Sequence, residues 1–226
     1  MDREAPTQVF LDACHQISSR LEPVGFRFAK SGPHASRRTG DWIFKISFQS
    51  NYLNVGGEYV ELVVHASVHN KVIREWDERS GWPANASNWV AGGQLGNLRT
   101  PHHWQTWNIA NPLTRQAEIA NIVANIQTTV LPFFERFGAP RKLAEQLAHS
   151  EIPGFMFPQN SVRFVFWQLG SEAAENCMSY WVARLQSSDA FRSERDVPTL
   201  PNRLASGSDA NNLARVARAM KIGLSL

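Results

Sequence analysis

Residues 41–70 read DWIFKISFQSNYLNVGGEYVELVVHASVHN, and they carry the clearest structural pattern of the chain. In the first part, every second residue is a large apolar one: Trp42, Phe44, Ile46 and Phe48. In the last part the same alternation holds at Val60, Leu62, Val64, Ala66 and Val68. Successive side chains of a strand point to opposite faces, so this period of two predicts two strands that share one buried face.

Upstream of these strands the sequence predicts one helix and one short strand. Residues 7–22 carry apolar side chains at helical spacing, and Pro23 disfavours helix in the residue before it. Residues 25–28 then read as a short strand. The polar residues 31–40 are predicted to form a loop.

Downstream, the pattern changes from strands to helices. A short helix, two strands and a long helix are predicted in that order, over 70–79, 94–98, 103–109 and 112–136. The glycines at 92, 93 and 96 mark a bulge or a close approach of two backbones.

The C-terminal part is helical in character. Residues 152–158 hold two prolines and a glycine, which makes them the best domain boundary. Helices are predicted beyond them, with a polar linker at 198–208 and a last helix that starts at Asp209.

The predicted fold is therefore α+β. It has an antiparallel sheet of about five strands, with the 7–22 and 112–136 helices packed on one face. A small all-α appendage covers residues 160–222. The predicted domains are 1–150 and 151–226.

The composition is that of a globular chain that can bury a core. Of its 226 residues, 43% are hydrophobic and 19% are charged, with a net charge of +3. The small positive excess is spread along the chain, whereas nucleic-acid binding usually shows a basic stripe, so nucleic acid is a disfavoured partner. No stretch approaches the roughly 20 apolar residues of a membrane span, so no membrane partner is expected.

The two cysteines indicate a reducing compartment. Cys14 and Cys177 are far apart in sequence and each lies among apolar neighbours in a predicted helix. Buried free thiols are the ordinary interpretation of such a pair. The N-terminus lacks the apolar run of a signal peptide, so a cytoplasmic location is expected.

No standard catalytic motif is present. The sequence has no phosphate-binding glycine loop, no HExxH, no CxxC and no GxSxG. We therefore assign no catalytic residue, no resident metal and no cofactor, and we leave open whether the protein is an enzyme.

The histidines are the nearest approach to a catalytic constellation. His65 and His69 share one side of a predicted strand with Glu61, and His102 and His103 lie on a predicted turn. If these elements meet, they could bind a metal and form a metal-assisted hydrolase with Glu61 as its base. The alternative is a set of surface or half-buried histidines with no shared role.

A second alternative is a face for single-stranded nucleic acid. It would combine the cations Arg37, Arg38 and Arg99 with Trp104 or Trp107 as stacking surfaces. The opposing interpretation is a solvated loop and tryptophans of the core.

Five short segments, taken in order, resemble an uncharacterised bacterial family, domain of unknown function 4304. They are LEPVGF at 21–26, ISFQS at 46–50, GQLGNL at 93–98, WQTW at 104–107 and VLPFFE at 130–135. The resemblance covers about residues 7–148 and implies a bacterial origin and an α+β domain. It carries no catalytic residues, and the loop 31–38 departs from its pattern.

The function favoured by these observations is a non-enzymatic binding or protein-interaction module whose partner is another protein. Its oligomeric state is left open. A ligand site is expected on the sheet face opposite Val60–Val68, and the candidate residues are Glu61, His65, His69, Arg99, His102, His103, Trp104 and Trp107. The alternative is that the C-terminal helices cover this face as a second core.

Overall fold

The computed structural model describes residues 4–29, 32–185, 191–192 and 208–222. The chain divides into two compact units. Unit 1 comprises Met1–His69 and Gly92–Glu135, and unit 2 comprises Asn70–Ala91 and Arg136–Leu226. The predicted division between residues 150 and 151 stays a prediction about domains. The linker predicted at 198–208 lies, up to residue 207, outside the described residues.

The described residues form one antiparallel sheet of six strands, which confirms the predicted α+β class. Its order is β1-β2-β3-β4-β5, and β6 also pairs with β4. The strands are β1 (Arg27–Ala29), β2 (His34–Thr39), β3 (Trp42–Gln49), β4 (Glu61–Asn70), β5 (Trp89–Gln94) and β6 (Trp107–Asn108).

Strand β2 lies within residues 31–40, for which the sequence predicts a loop, so that prediction was wrong. It pairs with β3 through a two-residue turn, in which Thr39 lies opposite Trp42. Gly40 in this turn has a φ of +57°, a left-handed conformation that suits glycine. The strand was missed because its own residues lack an alternation of apolar and polar side chains. Backbone pairing with β3 along its whole length keeps these residues extended.

The helices of unit 1 pack on the face of the sheet that carries the alternating apolar residues. They are α1 (Pro6–Ser19), a 3₁₀ turn (Glu22–Val24), α3 (Arg115–Asn125), a π-helical segment (Ile126–Val130) and α4 (Leu131–Glu135). The Phe134 ring of α4 lies 6.0 Å from Phe26 and 5.1 Å from Phe44. Phe44 and Ile46 are 4% and 0% exposed, as the alternation predicts.

The two downstream strands differ from their predictions. Strand β5 ends at Gln94, and the predicted strand 94–98 is mostly a 3₁₀ turn (Leu95–Leu98). Of the predicted strand 103–109, two residues form β6, which pairs with the start of β4. The close backbone approach expected at the glycines is confirmed. At Gly92, whose φ is +151°, a Cβ atom would lie 2.2 Å from the Ala66 carbonyl oxygen.

Unit 2 is helical apart from its share of the sheet strands. Its helices are α2 (Lys71–Ser80), a 3₁₀ turn (Arg136–Gly138), α5 (Pro140–Leu147), α6 (Pro158–Leu169), α7 (Ser171–Val182) and α8 (Asp209–Ala219). Phe164 of α6 packs against Phe137 and Phe155, with ring centroids 6.0 Å and 5.4 Å away. These contacts give the unit an aromatic core of its own.

A buried ion pair joins α2 to α6 within unit 2. The Nε of Arg163 donates to Asp77 Oδ1 at 2.8 Å, and its Nη2 donates to Oδ2 at 2.5 Å. The same guanidinium donates to the backbone carbonyls of Trp89 and Ser87 at 2.7 Å and 2.5 Å. The two side chains are 6% and 1% exposed, so the charges are removed from water and compensated by hydrogen bonds.

Candidate functional site

The structure brings together two of the predicted site residues, His65 and Trp104. Their rings meet edge to face with centroids 6.1 Å apart. The Trp104 side chain is 62% exposed, whereas His65 is half-buried. The His65 Nε2 atom is buried and has no hydrogen-bond partner among the described residues, and burial lowers the pKa of this imidazole. His65 is therefore held neutral beside an exposed indole.

The other predicted residues of β4 make local contacts. Ser67 Oγ lies 3.0 Å from His69 Nε2, and the hydroxyl of Tyr59 donates to Glu61 Oε1 at 3.0 Å. Glu61 and His65 share one face of the strand and stand four residues apart, about 13 Å at the usual rise of a strand. One end of this face therefore has a carboxylate bonded to a tyrosine, and the other has a half-buried imidazole beside an indole.

The two adjacent histidines of the 99–106 loop are both exposed. His103 Nδ1 lies 3.4 Å from the Pro101 carbonyl oxygen. A Cβ atom at Gly96 would lie 2.1 Å from the His103 carbonyl oxygen. The loop backbone can therefore approach position 96 this closely only because that residue is glycine. Within the ranges that the structure describes, no group of three or more His, Cys, Asp or Glu residues is placed to hold a metal ion. The predicted histidine metal site has no ligand set there.

Arg99 and Trp107 serve to hold the 99–106 loop. The Arg99 guanidinium donates to the Gln105 side chain and, at 3.1 Å, to Asn125 Oδ1 on α3. Trp107 is 6% exposed and donates from Nε1 to Asn121 Oδ1 at 2.8 Å. The two residues thus fix the loop that presents Trp104.

The Arg37 side chain points toward the aromatic residues between the sheet and the helices of unit 1. Its guanidinium carbon lies 5.1 Å from the Phe26 ring centroid and 5.3 Å from that of Phe44, and Nη1 donates to the Val24 carbonyl at 3.1 Å. Of the residues assigned to a nucleic-acid face, only Arg38 and Trp104 are exposed.

An exposed apolar segment between β3 and β4 was not predicted. We call residues 51–59 the apolar loop. Four large hydrophobic side chains of this loop face solvent, with exposures of 93%, 62%, 45% and 37% for Tyr52, Leu53, Val55 and Tyr59. Its sequence signal is a group of apolar residues set among Asn and Gly turn residues, outside the alternating pattern of either strand.

Hydrogen bonds fix the backbone of the apolar loop from within. Val55 and Tyr59 exchange both backbone hydrogen bonds, at 2.7 Å and 2.9 Å. Asn54 Oδ1 accepts from the Glu61 amide at 2.9 Å, and its Nδ2 donates to Ser50 Oγ at 2.6 Å. Desolvation, together with the bond to Glu61, raises the pKa of Tyr59, so its hydroxyl stays a donor.

A side chain from β6 holds the end of the apolar loop. Asn108 Nδ2 donates to the Glu58 carbonyl at 3.0 Å, and Asn108 Oδ1 accepts from the Val60 amide at 3.0 Å and the Ala110 amide at 3.1 Å. The loop is thus pre-formed, although its apolar side chains take little part in the core.

A family comparison matches more than half of the chain. The family model described as Domain of unknown function (DUF4304) matches residues 17–136. The chain belongs to the DUF4304 family. No curated protein and no solved structure matches it significantly. The DUF4304 match includes the apolar loop, His65 and Trp104, and it ends before α5 begins.

A surface cavity lies close to the end of α1 in this DUF4304 chain. The cavity has a volume of about 490 Å³ and is lined by Glu22, Gly25, Phe26 and Arg27. Gly25 has a φ of +88°, and a Cβ atom there would lie 3.2 Å from Arg37 Cδ. The left-handed backbone at this position therefore favours glycine.

The cysteines have no access to a substrate. Cys14 and Cys177 are free and fully buried. Burial raises the pKa of the Cys14 thiol and raises that of Cys177 to about 12, so neither forms the thiolate that a nucleophile requires. Among the described residues, no helix has both the length and the apolar character needed to cross a membrane.

Proposed function

We propose that this DUF4304 protein is a non-enzymatic module that binds another protein through the apolar loop. The observation that carries the proposal is the exposure of Tyr52, Leu53, Val55 and Tyr59 on a backbone braced by hydrogen bonds. Clustered exposed apolar side chains are typical of interaction sites, and tyrosine is enriched among residues that dominate binding energy. A pre-formed loop loses little entropy on binding.

The charge around the apolar loop indicates the chemistry of the partner. Residues 50–61 contain two carboxylates, Glu58 and Glu61, and no basic residue. A partner surface that suits this loop has an apolar pocket for Tyr52 and Leu53 with Lys or Arg at its rim. We infer a partner protein of that kind in preference to a second copy of this chain.

Photo-crosslinking in the native host tests the proposal. A photo-reactive amino acid would replace Leu53 in one version of the full chain and Leu113 in another. Leu113 is a matched control because it is 92% exposed and lies outside the apolar loop. We expect a single crosslinked protein from position 53 and none from position 113.

The captured protein then allows a quantitative measurement. We expect Leu53→Ser and Tyr52→Ala each to raise Kd at least tenfold, whereas Leu113→Ser changes Kd less than twofold. Equal effects at positions 53 and 113, or a crosslink only to a second copy of the chain, would contradict the proposal.

The setting of this interaction is part of the proposal. Two buried free cysteines fit a reducing compartment, which supports a cytoplasmic location. The family resemblance of the sequence supports a bacterial host. A thiol titration of the protein isolated without reductant checks the first point, since two titratable thiols in denaturant are expected.

A further inference from the structure

Three cations and a serine lie together on the sheet face opposite the helices of unit 1. Arg27 lies directly opposite Ser36, and Ser36 lies directly opposite Lys45, so the three residues form a row across β1, β2 and β3. Arg38 is two residues beyond Ser36 on the middle strand and shares its face. We call Arg27, Ser36, Arg38 and Lys45 the cationic face.

The register places these charges close together. Arg38 is the diagonal neighbour of both Arg27 and Lys45, which corresponds to roughly 7–8 Å between Cα atoms. Strands β1, β2 and β3 contain no Asp or Glu. Within the described part of the chain, none of the three cations makes an ion pair or a side-chain hydrogen bond. Like charges this close repel one another, and an anionic ligand on this face would relieve that repulsion.

Arg37 shows that the arrangement is specific to one face. It stands between Ser36 and Arg38 on β2 but lies on the opposite side, where its charge rests over two aromatic rings. Arg27 and Arg38, by contrast, are exposed, and Ser36 and Lys45 are half-buried. The cationic face therefore offers three charges and one hydroxyl to a ligand.

An exposed aromatic side chain lies on the same side of the sheet. Leu62 of β4 pairs with Trp107, which bonds to α3, so Leu62 points toward the helices. His65 is an odd number of residues from Leu62 on β4, so its side chain points away from the helices. The ring centroid of the exposed Trp104 lies 6.1 Å from that of His65. Cations that follow a backbone and an aromatic ring on which a base stacks are the two elements of single-strand binding.

We infer that the cationic face, with Trp104, binds the phosphate backbone and a base of single-stranded nucleic acid. The three cations contact successive phosphates, Ser36 donates a hydrogen bond to a phosphate oxygen, and Trp104 stacks on one base. This second activity uses residues other than the apolar loop. Its failure would leave the protein-binding proposal intact.

Fluorescence anisotropy of a labelled 20-nucleotide oligo(dT) with the full chain tests the inference. If the three cations neutralise about three phosphates, a plot of log K against log[salt] should have a slope of about −2, where K is the association constant. The variant Arg38→Gln with Lys45→Gln should weaken binding at least tenfold and reduce the slope to about −0.7. Trp104→Ala should weaken binding about fivefold to a hundredfold with the slope unchanged.

A matched double variant separates this site from bulk charge. Arg20→Gln with Arg136→Gln removes two exposed cations that lie outside the cationic face, so the net charge changes equally. It should change binding less than twofold, as should Leu53→Ser. Equal loss in both double variants, equal affinity for duplex DNA or for poly-glutamate, or no binding at 50 mM salt would overturn the inference.

Discussion

The buried ion pair of unit 2 and the apolar loop of unit 1 depart from the usual distribution of residues in opposite ways. Asp77 and Arg163 place full charges in the interior, whereas Tyr52 and Leu53 place large apolar side chains in water. Charged residues are rarely fully buried unless paired, and a cluster of exposed apolar residues is uncommon on monomeric proteins.

The two regions differ in whether the rest of the protein offsets the unfavourable exposure or burial of these side chains. Each charge of the ion pair is matched by several hydrogen bonds within unit 2, so the arrangement is complete without a ligand. In the apolar loop the backbone is compensated by hydrogen bonds, but the side chains of Tyr52 and Leu53 are not covered. The first region therefore serves the fold, and the second is available for binding.

The largest effect is expected from Asp77→Ala. Loss of the carboxylate leaves the Arg163 guanidinium buried without its counter-charge, which typically costs about 3–5 kcal/mol. Chemical denaturation should show this loss in the free energy of unfolding. The control is Glu78→Ala, which breaks only the exposed 3.4 Å pair with Arg74 and should cost no more than about 0.5 kcal/mol.

A double variant sharpens this first prediction. Replacing both charges, as Asp77→Leu with Arg163→Met, should recover most of the stability lost in Asp77→Ala, because no isolated charge remains. A cost below about 1 kcal/mol for Asp77→Ala would show that the ion pair is not a structural element, and the comparison between the regions would fail.

A smaller loss is expected from Asn108→Ala. This change removes three hydrogen bonds, of which those to Glu58 and Val60 hold the end of the apolar loop, and we expect a cost of about 1–2 kcal/mol. Hydrogen exchange should become faster at the Val60 amide. Asn111→Ala is the control, since its side chain accepts a single exposed backbone bond from Leu113. Unchanged exchange at Val60 would contradict a braced loop.

A pH-dependent effect is expected from His65. Burial lowers its pKa in the folded protein, so the unfolded state binds the proton more readily. The stability contribution of the neutral imidazole is therefore complete above the unfolded pKa of about 6.5 and is lost as the pH falls toward the folded pKa. Denaturation of His65→Gln between pH 7.5 and 5 should show a weaker pH dependence than the original protein. An identical pH dependence would show that His65 is not the responsible group.

The smallest stability effect is expected from Leu53→Ser. Because 62% of this side chain is already in water, the free energy of unfolding should change by less than about 0.5 kcal/mol. This result, combined with a large loss of partner binding, is what distinguishes a binding loop from a structural one. A loss above 1.5 kcal/mol would place Leu53 in the core and remove the basis of the comparison.

Prediction from the sequence succeeded where the pattern is local and repetitive. The alternation in β3 and β4 identified the buried face, and the helical spacing identified α1 and α3. The glycines at 92 and 96 correctly marked close backbone contacts. Each of these features is written in consecutive residues, so no distant partner is needed to recognise it.

Prediction of the candidate site was much less complete. His65 and Trp104 were named, and the structure brings them together. Arg99 and Trp107 donate hydrogen bonds to α3, contacts that their sequence neighbours gave no reason to expect. Arg37 and Arg38 are adjacent in sequence, yet one lies over aromatic rings and the other is exposed. Composition could not separate them, because the side to which each points depends on the pairing of a strand that was not foreseen.

Periodicity and motif spacing are local properties, so the α+β class, the buried side of the central strands and the absence of a standard catalytic motif can all be read from the amino-acid sequence. The pairing of Asp77 with Arg163, 86 residues away, and the common face of Arg27, Arg38 and Lys45 become visible only in the folded chain. The folded chain also leaves the apolar loop uncovered. The physical reason is that burial and charge pairing depend on which distant segments come into contact, and strand register sets those contacts while leaving little trace in any single segment.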